Sequence, residues 1–169
     1  MKGCAVLFLA LILTMTNEPN SPIAHVRNRF EFVVQAPLHR AAPLFGPEGE
    51  RCWAGPQWNP EFLYPQPGRD VEGAVFTVQR GSHPSVWVST LFDLAEGRMQ
   101  YVSFLVGRVV STVDVRLTPL DSSSTRAEVT YARTALDAAA NEDVRAMGVS
   151  DRESGPHWQE AIARCLVGR

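Results

Sequence analysis

The feature that most constrains the fold of this chain is a series of five strand-like segments between residues 71 and 136. They cover residues 71–80, 85–93, 98–106, 109–118 and 125–136, and turn-forming residues separate them. Apolar and polar residues alternate within the segments, most strictly in residues 112–117 (TVDVRL), and this period of two predicts strands with one buried face. The short intervals favour hairpins, so the segments predict an antiparallel sheet that is covered on one side only.

Residues 29–35 (RFEFVVQ) add an earlier strand, which ends near Pro37 because proline cannot donate to a strand ladder. In residues 37–50 the apolar positions follow helical spacing until Pro43 and Gly46-Pro47 interrupt them, which predicts two short helices. Residues 51–69 are rich in proline, glycine and aromatic residues, and we expect a loop there.

The end of the chain changes to a helical period. One apolar helical face is formed by Trp158, Ala161, Ile162 and Cys165. Residues 137–149 have helical spacing as well, and residues 150–153 (SDRE) match a capping box at the start of a helix. Because Gly155-Pro156 also suits a helix start, we expect a C-terminal helical region in two pieces or kinked at Pro156.

Composition fits one folded domain without an electrostatic partner. The chain has 169 residues, of which 45% are apolar, so it can build one core. Its net charge of -2 and its lack of a Lys/Arg run give no reason to expect a nucleic acid as partner. The sequence does not indicate an oligomeric state.

The first 20 residues differ from the rest, because Lys2 precedes an uncharged apolar run (CAVLFLALILTM). This pattern is typical of a secretory signal, and the run is short for a membrane span, which needs about 20 apolar residues. No A-x-A cleavage site follows, so an uncleaved membrane tether and a true start at Met15 in the cytoplasm stay open as alternatives. We expect export or tethering, with residues 1–20 as the signal-like segment, 21–28 as a linker and 29–169 as the folded domain. Membrane contact is expected only through the first segment, if it is retained.

Two cysteines, Cys52 and Cys165, lie beyond this segment, and their spacing matches no metal motif. A disulfide between them is possible in an oxidising compartment. Two buried free thiols are the preferred interpretation.

A sheet with one apolar face and a single long helix to cover it is expected to leave a cavity between the two. Several segments of the chain resemble the START-like (SRPBCC) superfamily, which includes pollen-allergen-like and polyketide cyclase/dehydrase-like proteins. The resemblance is carried by residues 30–37 (FEFVVQAP), 46–53 (GPEGERCW), 58–65 (WNPEFLYP), 72–77 (EGAVFT), 86–88 (VWV) and 129–136 (VTYARTAL).

This resemblance implies an α+β helix-grip fold, in which a curved antiparallel sheet of six or seven strands wraps around a C-terminal helix, with two short helices after the first strand. It also implies that the cavity binds a hydrophobic molecule and in some members carries cyclase, dehydratase or hydrolase chemistry. The signal-like segment and the Gly155-Pro156 interruption depart from the family pattern.

Aromatic side chains are the main candidates for a ligand-binding lining. The candidates are Trp53, Trp58, Phe62, Tyr64, Trp87, Tyr101, Tyr131 and Trp158. The alternative is that these rings only fill the core, and for Trp87 the two interpretations are equally supported.

Arg133 is a further candidate, because it shares the predicted inner face of Val129 and a buried arginine must be paired or meet an anion. In the functional interpretation it orients a carboxylate or carbonyl of the ligand. In the alternative it pairs with an acid such as Glu61 or Glu72.

No catalytic, metal or cofactor site is predicted. No nucleophile motif occurs, and the four histidines are too widely spaced for a metal pair. Asp114 and Glu128, with Arg116 and Arg126 nearby, are interpreted as cross-strand charges on the solvent face rather than an acid–base pair.

The sequence therefore predicts binding or carriage of a hydrophobic small molecule of the lipid, polyketide or isoprenoid kind. The alternative is an enzyme that acts on such a molecule through cavity groups such as Tyr101, Tyr131 and Arg133. A carrier should have an almost wholly apolar lining, whereas an enzyme should have convergent titratable groups.

Overall fold

A computed structural model describes residues 22–80 and 83–168. The predictions for residues 1–20 fall outside this part of the chain. Within the described part, no helix combines the length and the apolar character that a membrane span requires.

One antiparallel sheet of seven strands forms the body of the domain, in the order β1-β7-β6-β5-β4-β3-β2. The strands are β1 His25–Val34, β2 Glu61–Tyr64, β3 Val75–Arg80, β4 His83–Asp93, β5 Arg98–Leu105, β6 Val109–Pro119 and β7 Thr125–Ala135. The last five strands follow one another as hairpins, as the alternating segments predict, and β1 joins the sheet beside β7.

The two faces of the sheet differ as the alternation requires. On β6, Val113, Val115 and Leu117 are buried on the inner face, and the intervening residues lie on the outer face. On that outer face Arg29 forms an ion pair with Glu128 at 2.5 Å. Arg116 and Arg126 are exposed and Asp114 and Glu128 are partly exposed, so the solvent-face interpretation of these charges agrees with the structure. Exposed pairs of this kind contribute little to stability.

Two sequence-based boundaries differ from the structure. β1 begins at His25, inside the expected linker, because residues 25–28 continue the pairing with β7. β2 lies inside the segment expected to be a loop and pairs only with β3 at the sheet edge.

The two short helices after β1 are confirmed as α1 Leu38–Ala41 and α2 Pro47–Glu50, with a 3-10 turn over Ala42–Phe45 between them. The carboxylate of Asp70 accepts the backbone N–H of Glu48 at 2.9 Å and that of Gly49 at 3.4 Å, which fixes the start of α2. A Cβ on Gly49 would lie 1.8 Å from the carbonyl oxygen of Pro43, so only glycine fits this turn.

A single helix, α3, runs from Asn141 to Val167 through Pro156, so the prediction of two pieces is wrong. Gly155 removes one of the clashes that disfavour helical backbone before proline, because it has no Cβ to meet the proline ring. The expected capping box at residues 150–153 lies inside the helix. The buried residues of α3 are Asn141, Val144, Gly148, Asp151, Gly155, Ile162 and Cys165.

The contacts of α3 with the sheet are concentrated on β1 and β7. Gly148 allows this close approach, since an added Cβ would lie 3.1 Å from the Val26 side chain. At Gly155 an added Cβ would lie 3.4 Å from the Glu31 carbonyl oxygen, which is an ordinary contact distance. The helix therefore lies along one side of the inner face, and the inner face of the other strands remains available to line a cavity.

Cys52 and Cys165 form a disulfide, so the preference for free thiols is wrong. The packing of α3 brings its last turn beside the segment after α2, with the two Cα atoms 5.8 Å apart. That distance lies within the range that a disulfide bridges.

Candidate functional site

A cavity of about 400 Å³ lies between the inner face of the sheet, the α2 region and the C-terminal half of α3. This volume falls within the range of small-molecule sites. The lining residues are Pro47, Glu50, Trp53, Ala54, Gly55, Trp58, Phe76, Trp87, Tyr101, Val113, Val115, Tyr131, His157, Trp158, Glu160, Ala161 and Arg164.

Aromatic rings in contact with one another form much of the wall. Trp53 from the segment after α2 meets Trp158 from α3 with ring centroids 4.8 Å apart. Trp58 meets Trp87 edge-on at 5.5 Å, and Trp87 stacks with Phe76 at 6.0 Å. These rings connect the loop, the sheet and the helix around one space.

Three of these indole N–H groups donate to protein acceptors. Trp53 donates to the Leu44 carbonyl at 2.7 Å, and Trp58 donates to the Pro47 carbonyl at 2.9 Å. Trp87 donates to the Ser85 hydroxyl at 2.8 Å, which in turn donates to the Val78 carbonyl. Their ring orientations are thereby fixed, and apolar surface is what they offer to the cavity.

Tyr101 anchors the 3-10 turn to the sheet, because its hydroxyl donates to the Phe45 carbonyl at 2.8 Å. Burial raises its pKa well above the usual 10.0, and the charges of Glu50 and Asp70 raise it further. Tyr101 is therefore held protonated as a donor and cannot act as a base.

An outer opening of about 720 Å³ continues from the cavity and shares Trp53, Gly55, Trp58, Ala161 and Arg164 with it. The two cysteines of the disulfide line this opening. We call it the mouth of the cavity. Residues of the aromatic segment 51–69 form one side of it.

Arg133 lies at the opposite end, where its side chain is buried against α3. It binds the Asp151 carboxylate through two nitrogens, at 2.7 and 2.6 Å, and donates to the Ser111 hydroxyl at 3.1 Å. Its guanidinium also lies 4.3 Å from the ring centroid of Tyr131. The acid that pairs with Arg133 is thus Asp151, and neither Glu61 nor Glu72 has this role.

The sequence-predicted residues divide into three groups. The cavity lining includes Trp53, Trp58, Trp87, Tyr101, Tyr131 and Trp158. Phe62 packs behind the wall against Phe76 at 5.5 Å, and Tyr64 is 61% exposed on the edge strand. Arg133 lines two further pockets, of about 50 and 620 Å³, that adjoin the cavity across Tyr131.

Sequence reasoning missed the polar lining residues, so the lining is not the almost wholly apolar one expected of a carrier. No motif predicts Glu50 as a lining residue. His157, Glu160 and Arg164 lie outside the predicted apolar face of the helix, so they were expected to face solvent. Ser103 and Ser111 lie at inner positions of β5 and β6, a placement that strand alternation could have indicated. In the described part of the chain, no three His, Cys, Asp or Glu residues are grouped to hold a metal ion.

The fold and the cavity define this protein as a helix-grip protein with an internal site. Norcoclaurine synthase from Thalictrum flavum, in complex with dopamine and hydroxybenzaldehyde, matches it with a TM-score of 0.63 at 13% identity, over 96% of this chain and 98% of that one. CalU16 from Micromonospora echinospora matches with 0.57 at 15% identity, over 87% and 84%. Ara h 8.0201 matches with 0.60 at 12% identity, over 86% and 100%.

The chain thus has the helix-grip fold that the resemblance in its sequence implies. No protein-family model and no curated protein sequence matches it.

Proposed function

We propose that this protein binds a mainly apolar small molecule in the aromatic cavity and carries or sequesters it. The observation that supports this proposal is the cavity of about 400 Å³, in which indole and phenol rings from the loop, the sheet and α3 surround one space. Burial of apolar ligand surface against fixed rings supplies affinity without an activated group. A lipid, polyketide or isoprenoid fits this description.

The test is titration with the neutral fluorescent probe N-phenyl-1-naphthylamine, whose emission rises in apolar surroundings. Ala161→Phe places a ring in the cavity from α3 and should weaken binding by about tenfold or more, because it removes the space that the ligand fills. Ala163→Phe is the matched control, since Ala163 is exposed on the same helix. Equal binding by both variants, or no binding by the unaltered protein, would rule the proposal out.

A second candidate function, acid–base catalysis on the bound molecule, is favoured by one observation. Glu50 lines the cavity, and its charge contributes to the raised pKa of Tyr101. A carboxylate in an apolar site is suited to proton transfer. Chromatography coupled to mass spectrometry of ligand recovered from the protein and from Glu50→Gln would decide: a new compound, isomeric or of different mass, that only the unaltered protein produces favours catalysis, and the same compound in both favours carriage.

We further propose that the domain works in an oxidising compartment. The Cys52–Cys165 disulfide supports this, because structural disulfides persist outside the reducing cytosol. The signal-like segment at residues 1–20 agrees with export. Sequencing the mature N-terminus tests it: an intact Met15 or Thr16 start in a cytosolic fraction would overturn the proposal.

A further inference from the structure

A small pocket adjoins the aromatic cavity at the end away from the mouth. Serines and Arg133 line it together with apolar side chains, and we call it the polar pocket after the former. Its volume is about 50 Å³, and it shares Trp87 and Tyr131 with the main cavity. Since about 10–15 Å³ suffices for one water, this pocket can take one polar group or a few waters, but no second ligand.

Three polar side chains form a row across the inner face at this pocket. Ser103 on β5 pairs with Ser111 on β6, and Ser111 pairs with Arg133 on β7. Because directly opposed residues have their Cβ atoms about 5 Å apart, the three side chains can reach one ligand atom group together.

The two serines have hydrogen-bonding capacity to offer. The Ser111 oxygen accepts from Arg133, which leaves its own O–H free to donate. In the part of the chain that the structure describes, no residue hydrogen-bonds to the Ser103 hydroxyl, which can both donate and accept.

The charge of the pocket is balanced before any ligand enters. Asp151 binds Arg133 with both carboxylate oxygens, and the side chains of Arg133 and Asp151 are only 15% and 6% exposed. An added carboxylate would meet an ion pair that is already neutral, so no counter-charge would offset the hydration that it loses on binding. A hydroxyl or carbonyl group carries no such cost.

We propose that this pocket holds a neutral hydroxyl or carbonyl group of the ligand, so the protein selects neutral amphiphilic molecules over carboxylic acids. This inference rests on the proposed binding function. It reverses the expectation that Arg133 is available to orient a ligand carboxylate.

The test compares three ligands of one shape, 2-methylnaphthalene, 2-naphthol and 2-naphthoate, by displacement of N-phenyl-1-naphthylamine at neutral pH. We expect 2-naphthol to bind about fivefold more tightly than 2-methylnaphthalene, the effect of one net hydrogen bond, and 2-naphthoate to bind most weakly. Equal affinity for the first two would mean that the pocket holds only water, and tightest binding of 2-naphthoate would mean that it accepts anions. Either result overturns the inference while the proposed function stands.

Serine variants locate the effect. Ser103→Ala with Ser111→Ala should remove the preference for 2-naphthol and leave the affinity for 2-methylnaphthalene unchanged. Ser89→Ala is the matched control. Ser89 is also a buried serine on the inner face of the sheet, on β4, but it lies away from the polar pocket, beside Ala74, whose carbonyl accepts the Ser89 backbone N–H at 2.9 Å. A preference that survives in the double variant, or that is lost in Ser89→Ala, contradicts the inference.

Asp151→Asn tests the charge argument. The variant leaves the positive charge of Arg133 unbalanced, so 2-naphthoate should gain affinity over 2-naphthol. If the variant folds and its affinity for 2-naphthoate relative to 2-naphthol is the same as in the unaltered protein, the proposal is contradicted. If the variant does not fold, the serine variants provide the test. Failure of the unaltered protein to bind the probe or any of the three ligands would instead refute the proposed function itself.

Discussion

The guanidinium of Arg133 is held on three sides, by the carboxylate of Asp151, the hydroxyl of Ser111 and the ring of Tyr131. Burial alone lowers the pKa of Arg133, but the hydrogen bonds and charge of Asp151, together with Tyr131, raise it on balance. The pair joins α3 to β7 at the level of the polar pocket, so it has a structural role as well as the selective one proposed.

Breaking this pair should be costly. Asp151→Ala leaves a buried guanidinium without its counter-charge, and we expect a loss of about 3–5 kcal/mol in the free energy of unfolding, measured by urea denaturation. Glu160→Ala is the control, because its pair with Arg164 spans 3.7 Å between side chains that are each 73% exposed. That variant should lose under about 1 kcal/mol. Similar losses in both variants would show that the buried pair contributes no more than an exposed one.

At the scale of elements, α3 contains a proline in its interior, where proline destabilises a helix. Pro156 is exposed and lacks the N–H that would bond to the carbonyl of Arg152. Pro156→Ala restores this donor, and we expect a gain of about 1–3 kcal/mol in stability, checked by thermal unfolding. A loss of stability would show that the packing of α3 against β1 requires the proline.

The strands could be predicted from sequence because their inner and outer residues differ in polarity along most of each strand. β2 could not, because its short segment lies among prolines and glycines and three of its four residues are exposed. The continuity of α3 was missed because Gly155-Pro156 has the local signature of a helix start. Gly155 is buried beside Phe30 in the packed helix, a tertiary contact that the local signature does not contain.

The wrong prediction of a helix start near Gly155-Pro156 also hid the partner of Arg133. Placing Asp151 in a capping box removed it from the buried helical face, and Arg133 was therefore left without its true partner. Trp53 and Trp158 could be predicted because large aromatic rings in loops and on an apolar helical face are conspicuous. Ser103 and Ser111 could not be assigned from their residue type, since serine occurs on both faces of a strand.

At the scale of the whole molecule, the disulfide joins two parts of the chain that are 113 residues apart. Removing a cross-link of this span in Cys52→Ser with Cys165→Ser should cost about 2–5 kcal/mol, chiefly because the unfolded chain gains freedom. Denaturation with and without a reducing agent measures it. Reductant should destabilise the unaltered protein and leave the double variant unchanged. A reductant effect of equal size in both would contradict the prediction.

The Cys52–Cys165 bond also closes a covalent ring that contains β2 to β7 and most of α3. Every strand that lines the aromatic cavity belongs to this ring, whereas β1 and the two short helices lie outside it. A protease that cuts one loop between these strands therefore releases no fragment while the bond is intact, and the nicked protein keeps its mass on a non-reducing gel. The strands around the aromatic cavity therefore stay covalently connected after a single cleavage, which hydrogen bonds and packing alone do not ensure.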